Sequence, residues 1–239
     1  MKQIDPVTRA SDPLIKKYQP QTIDDFVGNV NILNTLTAVL NNRRRNRGYV
    51  ITGPYGTGKT TLSWAIGKHV GADDGDINFA PLRDYKDLKR MRRVIDAFHY
   101  RPHGLARVFI FDEAHNLPKR IQEEILKYLD NPPRTLHLIF CTSELKRVIV
   151  PLQQRCFQVA LQPLEFKERM QLLRRICKGE RIELDRLEAA KIPRIVDPNV
   201  EPFALFLGIE LAVDPFDLDV EQISPQLGRL LAQAAPGAV

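Results

Sequence analysis

Residues 53–61 read Gly-Pro-Tyr-Gly-Thr-Gly-Lys-Thr-Thr, and each residue type at that spacing has a use in handling phosphate. Gly53, Gly56 and Gly58 let backbone N–H groups turn inward around phosphate oxygens, with Pro54, Tyr55 and Thr57 completing the loop. A helix starting at the end of that loop adds partial positive charge. Lys59 can reach β- and γ-phosphates, the Thr60 hydroxyl can ligate Mg²⁺, and Thr61 follows in the same turn. The partner chemistry lies at Asp112-Glu113, directly after the apolar run Val108-Phe109-Ile110-Phe111. Asp112 is placed to hold Mg²⁺ through water, and Glu113 to orient and deprotonate an attacking water. Together these groups suit hydrolysis of a nucleoside triphosphate, with ATP and Mg²⁺ as the expected ligands.

Such groups converge only if strands and helices carry them to one edge. Tyr49–Thr52 reads as a short buried strand feeding the glycine loop, and Thr60–Val70 as the helix leaving it. Before them, Asn31–Asn41 spaces Ile32, Leu33, Leu36, Val39 and Leu40 as a helical stripe. The run Arg43-Arg44-Arg45 that follows suits a helix C-terminus. Further strands are expected at Asp76–Ala80, Val108–Phe111, Leu136–Cys141 and Phe157–Leu161. Between them, Tyr85–Phe98 reads as a basic helix. Another helix has Pro118 in its first turn, carries Ile121, Ile125, Leu126 and Leu129, and stops at Asn131-Pro132-Pro133. Alternating strands and helices predict an α/β fold, a parallel sheet with helices on both faces. Carboxylates at a strand's C-terminal end then lie where such sheets bind ligands. After Pro163 the pattern turns helical from Glu165 to Lys178. This divides the chain into a nucleotide-binding domain, 1–162, and a small helical domain, 163–239, with an acidic end.

The 239 residues suffice for a full core without disulfide or metal staples. Cys141, Cys156 and Cys177 form no C-x-x-C pair, which speaks against a disulfide framework and a cysteine zinc site. His99 and His103 flank Pro102 and are a poor metal pair. No signal peptide or membrane span is evident, so the expected location is cytoplasmic. Net charge is +6, but residues 193–239 hold seven acidic and two basic side chains, which concentrates positive charge in the body. Lys86, Lys89, Arg90, Arg92 and Arg93 crowd one helix; they suit salt-dependent contact with a nucleic-acid backbone, or equally a solvated face.

With these residues in place, the sequence resembles an AAA+ ATPase, and within that class the clamp-loader subunits: replication factor C small subunit and the gamma and delta-prime subunits of DNA polymerase III. The similarity covers roughly residues 14–175. Lys17-Tyr18-Gln19-Pro20 and Phe26-Val27-Gly28-Asn29 resemble the family's opening K-Y-R-P…F-x-x-[VI]-[VI]-G-[QN], which implies that Tyr18, Pro20, Val27 and Gly28 border the adenine. Gln19 stands where arginine is usual. The helix Gln122–Asp130 followed by Pro132-Pro133 resembles A-Q-x-A-L-x-x-x-[LM]-E-x-P-P. Ile139–Ser143 resembles the strand ending in the sensor 1 residue, which the resemblance places on Ser143, with Thr142 as alternative. Pro151-Leu152-Gln153-Gln154-Arg155-Cys156 resembles P-[IL]-x-S-R-C, whose arginine reaches a neighbouring subunit's γ-phosphate. The resemblance thus implies a finger role for Arg155, an assembly into a ring or open spiral of like or unlike subunits, and DNA-backbone contact by the basic helix. Phe98 and Tyr100 lie in a region where clamp loaders meet the sliding clamp, although core packing suits them better.

The departures narrow the expectation. The cysteine-rich zinc module of gamma-type subunits has no counterpart, and no sensor 2 stretch follows Leu187, Arg194 being a weak candidate. About 76 residues follow Pro163, enough for a lid but not for a collar. Asp112-Glu113-Ala114-His115 spells the DEAH of a helicase family, without that family's other signatures. The leading expectation is an ATP-driven, DNA-binding oligomer that loads or remodels a protein on DNA in replication, recombination or DNA mobility. Its partner would be a sliding clamp, helicase or recombinase. The alternative is a nucleotide-binding scaffold subunit of a larger complex with little hydrolysis of its own.

Overall fold

The computed structural model describes residues 17–42, 47–80 and 87–180. The Arg43–Arg45 run, Tyr85, Lys86, Arg194 and the whole segment 181–239 lie outside the described residues. In chain order the main elements are α1 (Val30–Asn41), β1 (Gly48–Thr52), α2 (Lys59–His69), β2 (Ile77–Phe79) and α3 (Leu88–Asp96). They continue with β3 (Arg107–Phe111), α4 (Lys119–Asp130), β4 (Leu136–Thr142), α5 (Val150–Arg155), β5 (Phe157–Ala160) and α6 (Phe166–Glu180). Among the described residues, no helix is long and apolar enough to cross a membrane.

The five strands form one parallel sheet in the order β2-β3-β4-β1-β5. Burial follows from the strand period of two, because successive side chains face opposite sides. Tyr49, Ile51, Val108, Ile110, Ile139 and Cys141 join one apolar cluster with Leu33, Leu36 and Leu40 of α1 and Leu62, Ala65 and Ile66 of α2. Val50, Phe109, Phe111, Leu136, Leu138 and Phe140 join the other, with Met91 and Ile95 of α3, Ile121 and Ile125 of α4, and Leu152 of α5. The sheet is therefore covered on both faces, as a parallel sheet of nearly continuous apolar strands requires. Phe111 and Phe140 stack at 5.1 Å where β3 and β4 emerge, just below the acidic pair.

Three details differ from expectation, the first being that Val150–Arg155 forms a short helix where none was expected. Pro118 precedes α4 rather than lying in its first turn: it is extended, and its carbonyl accepts from the Ile121 and Gln122 N–H groups at 2.9 and 3.1 Å. Tyr100 is 63% exposed where core packing was expected, whereas Phe98, 2% exposed and packed on Phe109, Phe111 and Tyr128, lies in the core as expected.

Candidate functional site

The glycine loop joins the C-terminal end of β1 to α2. Gly56 and Gly58 have φ of 76° and 82°, a backbone region costly for residues with a Cβ, and this turns the chain back before Lys59 opens the helix. A side chain at Gly53 would meet the Leu161 carbonyl at 2.6 Å, so that position must also be glycine. Thr57 Oγ1 donates to the Pro54 carbonyl at 2.9 Å and braces the loop. Lys59 is buried to 6% exposure, and its Nζ donates to the Gly53 and Pro54 carbonyls at 3.0 and 2.7 Å. The exposed Tyr55 ring lies 5.5 Å from that ammonium. Thr61 is half-buried in the first turn of α2.

Asp112 and Glu113 follow β3 directly. Thr60 Oγ1 donates to Asp112 Oδ2 at 3.0 Å, so the last residues of the glycine loop meet the first past β3. Glu113 has φ of 48°, unusual for a residue with a side chain, and its N–H donates to Asp112 Oδ1 at 3.1 Å. Burial, then the charge of Asp112, holds the Glu113 carboxyl above the usual carboxylate range, while His115 and Lys59 oppose them. A half-buried carboxylate with a raised proton affinity is suited to take a proton from water.

Thr142 ends β4 fully buried, its Oγ1 3.2 Å from His115 Nδ1 and accepting from the Glu144 N–H at 3.0 Å. Ser143 Oγ is buried and has no hydrogen-bond partner among the described residues. Of the two candidate sensor hydroxyls, Thr142 is committed to the protein and Ser143 is not.

The opening segment reaches the same edge. Phe26 Cε1 lies 3.7 Å from where a Gly58 Cβ would stand. Asn29, left-handed with φ of 53°, exchanges two hydrogen bonds with Gln162: Nδ2 to the carbonyl at 3.0 Å, and the Gln162 N–H to Oδ1 at 2.8 Å. Gly28 faces Leu164 and Glu168, Tyr18 fills the space beside Gly179, and Arg175 Nη1 donates to the Asp25 carbonyl at 3.0 Å. Phe26 of this segment thus lies at the glycine loop, while Tyr18, Asp25 and Gly28 face α6.

Arg155 stands elsewhere. It ends α5 immediately before β5, hence at the N-terminal edge of the parallel sheet, whereas Asp112 and Glu113 leave the C-terminal edge. It ion-pairs with Asp130 and donates to the Pro151 carbonyl at 3.0 Å, its side chain 37% exposed. On α3, Met91 and Ile95 are buried while Lys89, Arg90, Arg92 and Arg93 are exposed; Asp87 caps the helix and pairs with Arg90 at 3.2 Å.

The glycine loop, Lys59, and the Thr60–Asp112 pair fit a magnesium nucleotide: a turned-in backbone, a buried cation and two adjoining oxygen ligands. A sequence-family model described as "AAA domain" matches residues 45–170, just over half of the chain. The chain belongs to the AAA domain family. Its relatives include DNA polymerase III subunit gamma of Buchnera aphidicola subsp. Acyrthosiphon pisum, 22% identical over 91% of this chain and 66% of the relative. Replication factor C small subunit of Haloarcula marismortui is 30% identical over 73% of this chain and 55% of the relative. The expected likeness to clamp-loader AAA+ subunits is borne out. The chain spans between about one third and two thirds of the length of such relatives. Among solved structures, the Thermotoga maritima RuvB Holliday junction branch migration motor matches with a TM-score of 0.67 at 19% identity, covering 91% of this chain and 72% of that one. At that identity the match speaks for the AAA+ fold, which agrees with the parallel five-stranded sheet.

Residues that motif reading passed over hold this AAA site together. Gln122, 1% exposed, donates to the Leu117 carbonyl at 2.9 Å and accepts from the Ile149 N–H at 2.8 Å, which ties the loop after β3 to the start of α5. His115, set aside as part of a helicase-like string, is buried beside Glu113. The available signal was its position two residues past Glu113.

Proposed function

We propose that this AAA protein is an ATPase that assembles on ATP binding, contacts DNA through its backbone without reading sequence, and uses hydrolysis to load or remodel a protein on DNA. The observation that carries this reading is the Thr60–Asp112 hydrogen bond, which joins the phosphate loop to the acidic strand end beside Glu113. ATP phosphates would lie against the N–H groups of residues 53–60, with Lys59 on the β- and γ-phosphates. Mg²⁺, held by Thr60 and Asp112, would neutralise phosphate charge. Glu113 takes a proton as water oxygen bonds to the γ-phosphorus and the bond to the ADP oxygen breaks. Ser143, its hydroxyl without a partner among the described residues, would orient the γ-phosphate or that water.

Arg155 cannot serve the site of its own chain, because the length of the sheet separates them: roughly 15 Å for a five-residue strand. It would act on the site of a neighbour in a head-to-tail ring or spiral, which fits the heterologous contact such a finger needs. Its pair with Asp130 is solvent-exposed and worth at most about 1 kcal/mol, so the finger is readily released. The exposed cations of α3 supply the DNA contact, and a sliding clamp, helicase or recombinase the protein partner. The setting would be the cytoplasm. The experiment is ATP turnover by the wild type and Glu113→Gln. Turnover that falls at least about a hundredfold in the variant, with ATP binding retained, is expected. Wild-type binding without turnover would favour the scaffold reading.

A further inference from the structure

His115 follows the proposed base by two residues, and its side chain is 6% exposed. Nδ1 lies 3.2 Å from Thr142 Oγ1 and 3.3 Å from Glu113 Oε2, and Nε2 lies 3.3 Å from Asn116 Nδ2 and 3.6 Å from Glu144 Oε1. The donor inventory places the proton. An amide nitrogen only donates, so a ring whose Nε2 accepts from Asn116 carries a hydrogen on Nδ1. That single hydrogen has two acceptors within reach. Thr142 Oγ1 is the nearer, at 3.2 Å, and Glu113 Oε2 is buried with no hydrogen-bond partner among the described residues. A buried carboxylate oxygen in that condition is costly, and satisfying it needs only a small turn of the imidazole. Thr142 is not orphaned by the exchange, because its Oγ1 also accepts from the Glu144 N–H.

We infer that His115 is a positioning residue for Glu113, sharing its Nδ1–H between Thr142 at the end of β4 and the base at the end of β3. The share given to Glu113 fixes where the carboxylate points. A displacement of the β4 end, next to Ser143, is thereby felt by the base. This role rests on the reading of Glu113 as the base.

Three variants of the full chain test it, each assayed for ATP-analogue affinity, kcat and KM. Asparagine sets an amide N–H near the position of Nδ1, whereas glutamine sets one near Nε2. His115→Ala should lower kcat about a hundredfold with KM and analogue affinity unchanged, the signature of a misplaced base. His115→Asn should recover most of the loss and His115→Gln little. Equal behaviour of the two amides, or losses that track thermal stability, overturns the role. A second readout needs no hydrolysis: long-range proton–nitrogen spectra should show His115 protonated at Nδ1 and shifted by Glu113→Gln. An Nε2–H tautomer, or an imidazole indifferent to that substitution, overturns the role. A wild type without turnover would refute the ATPase reading, while these spectra still decide the His115 contact.

Discussion

Lys59, Thr60, Asp112 and Glu113 form a run of neighbours and contacts in which each residue type suits phosphate chemistry. Lys59→Ala should abolish ATP binding, measured by equilibrium titration, because no other buried cation among the described residues lines the loop. These positions were legible in the sequence for a physical reason: the chemistry demands fixed types at fixed spacing along one strand–loop–helix unit. His115 was not, since its meaning comes from Thr142, which lies on another strand. The choice between Thr142 and Ser143 also needed the fold, which shows which hydroxyl is already engaged. Burial has a further consequence at this scale. Cys156 has its thiol pushed up to about 12, and Cys141 is also raised well above the usual thiol range, so neither holds much thiolate near neutral pH. Peptide mapping after alkylation of the native protein at pH 8 should find both unmodified, and rapid labelling of either would contradict the packing.

Apart from the six-residue α5, too short to show a stripe, the strands and helices were readable to within a residue or two at most described ends, because the period-two and helical stripes are strong on a sheet buried on both faces. What patterning missed were the polar ties between elements. Asp76, fully buried, accepts from the Gly104 N–H at 2.7 Å and pairs with Arg107 Nη2 at 3.3 Å, fastening the approach to β2 onto the start of β3. Asp76→Ala leaves a buried guanidinium and amide without this acceptor. It should cost about 3 kcal/mol in denaturant unfolding. A loss below about 1 kcal/mol would mean that solvent already screens the pair. Helix α3 makes the opposite case, with its apolar side chains in the core and its cations outside. Replacing Arg90 and Arg93 together should weaken DNA binding and flatten its dependence on salt, as loss of about two phosphate contacts does. Unchanged binding would make α3 a solvated face.

The molecule as a whole is polar in the geometric sense. One edge of the sheet gathers the phosphate loop, the acidic pair and the opening segment, and the other edge carries Arg155. Under the proposed reading, a subunit built this way completes its site with the Arg155 of a neighbour. Mixing Glu113→Gln and Arg155→Ala chains, each inactive alone, should restore part of the turnover, because some contacts then join an intact finger to an intact base. No recovery at any ratio would place Arg155 outside the reaction. The most direct measurement is steady-state ATP hydrolysis by the wild-type chain, without DNA and then with single-stranded, duplex and primer-junction DNA. Strong stimulation by one DNA form, lost in Glu113→Gln, is the predicted result. Turnover indifferent to every DNA form would contradict a DNA-coupled ATPase.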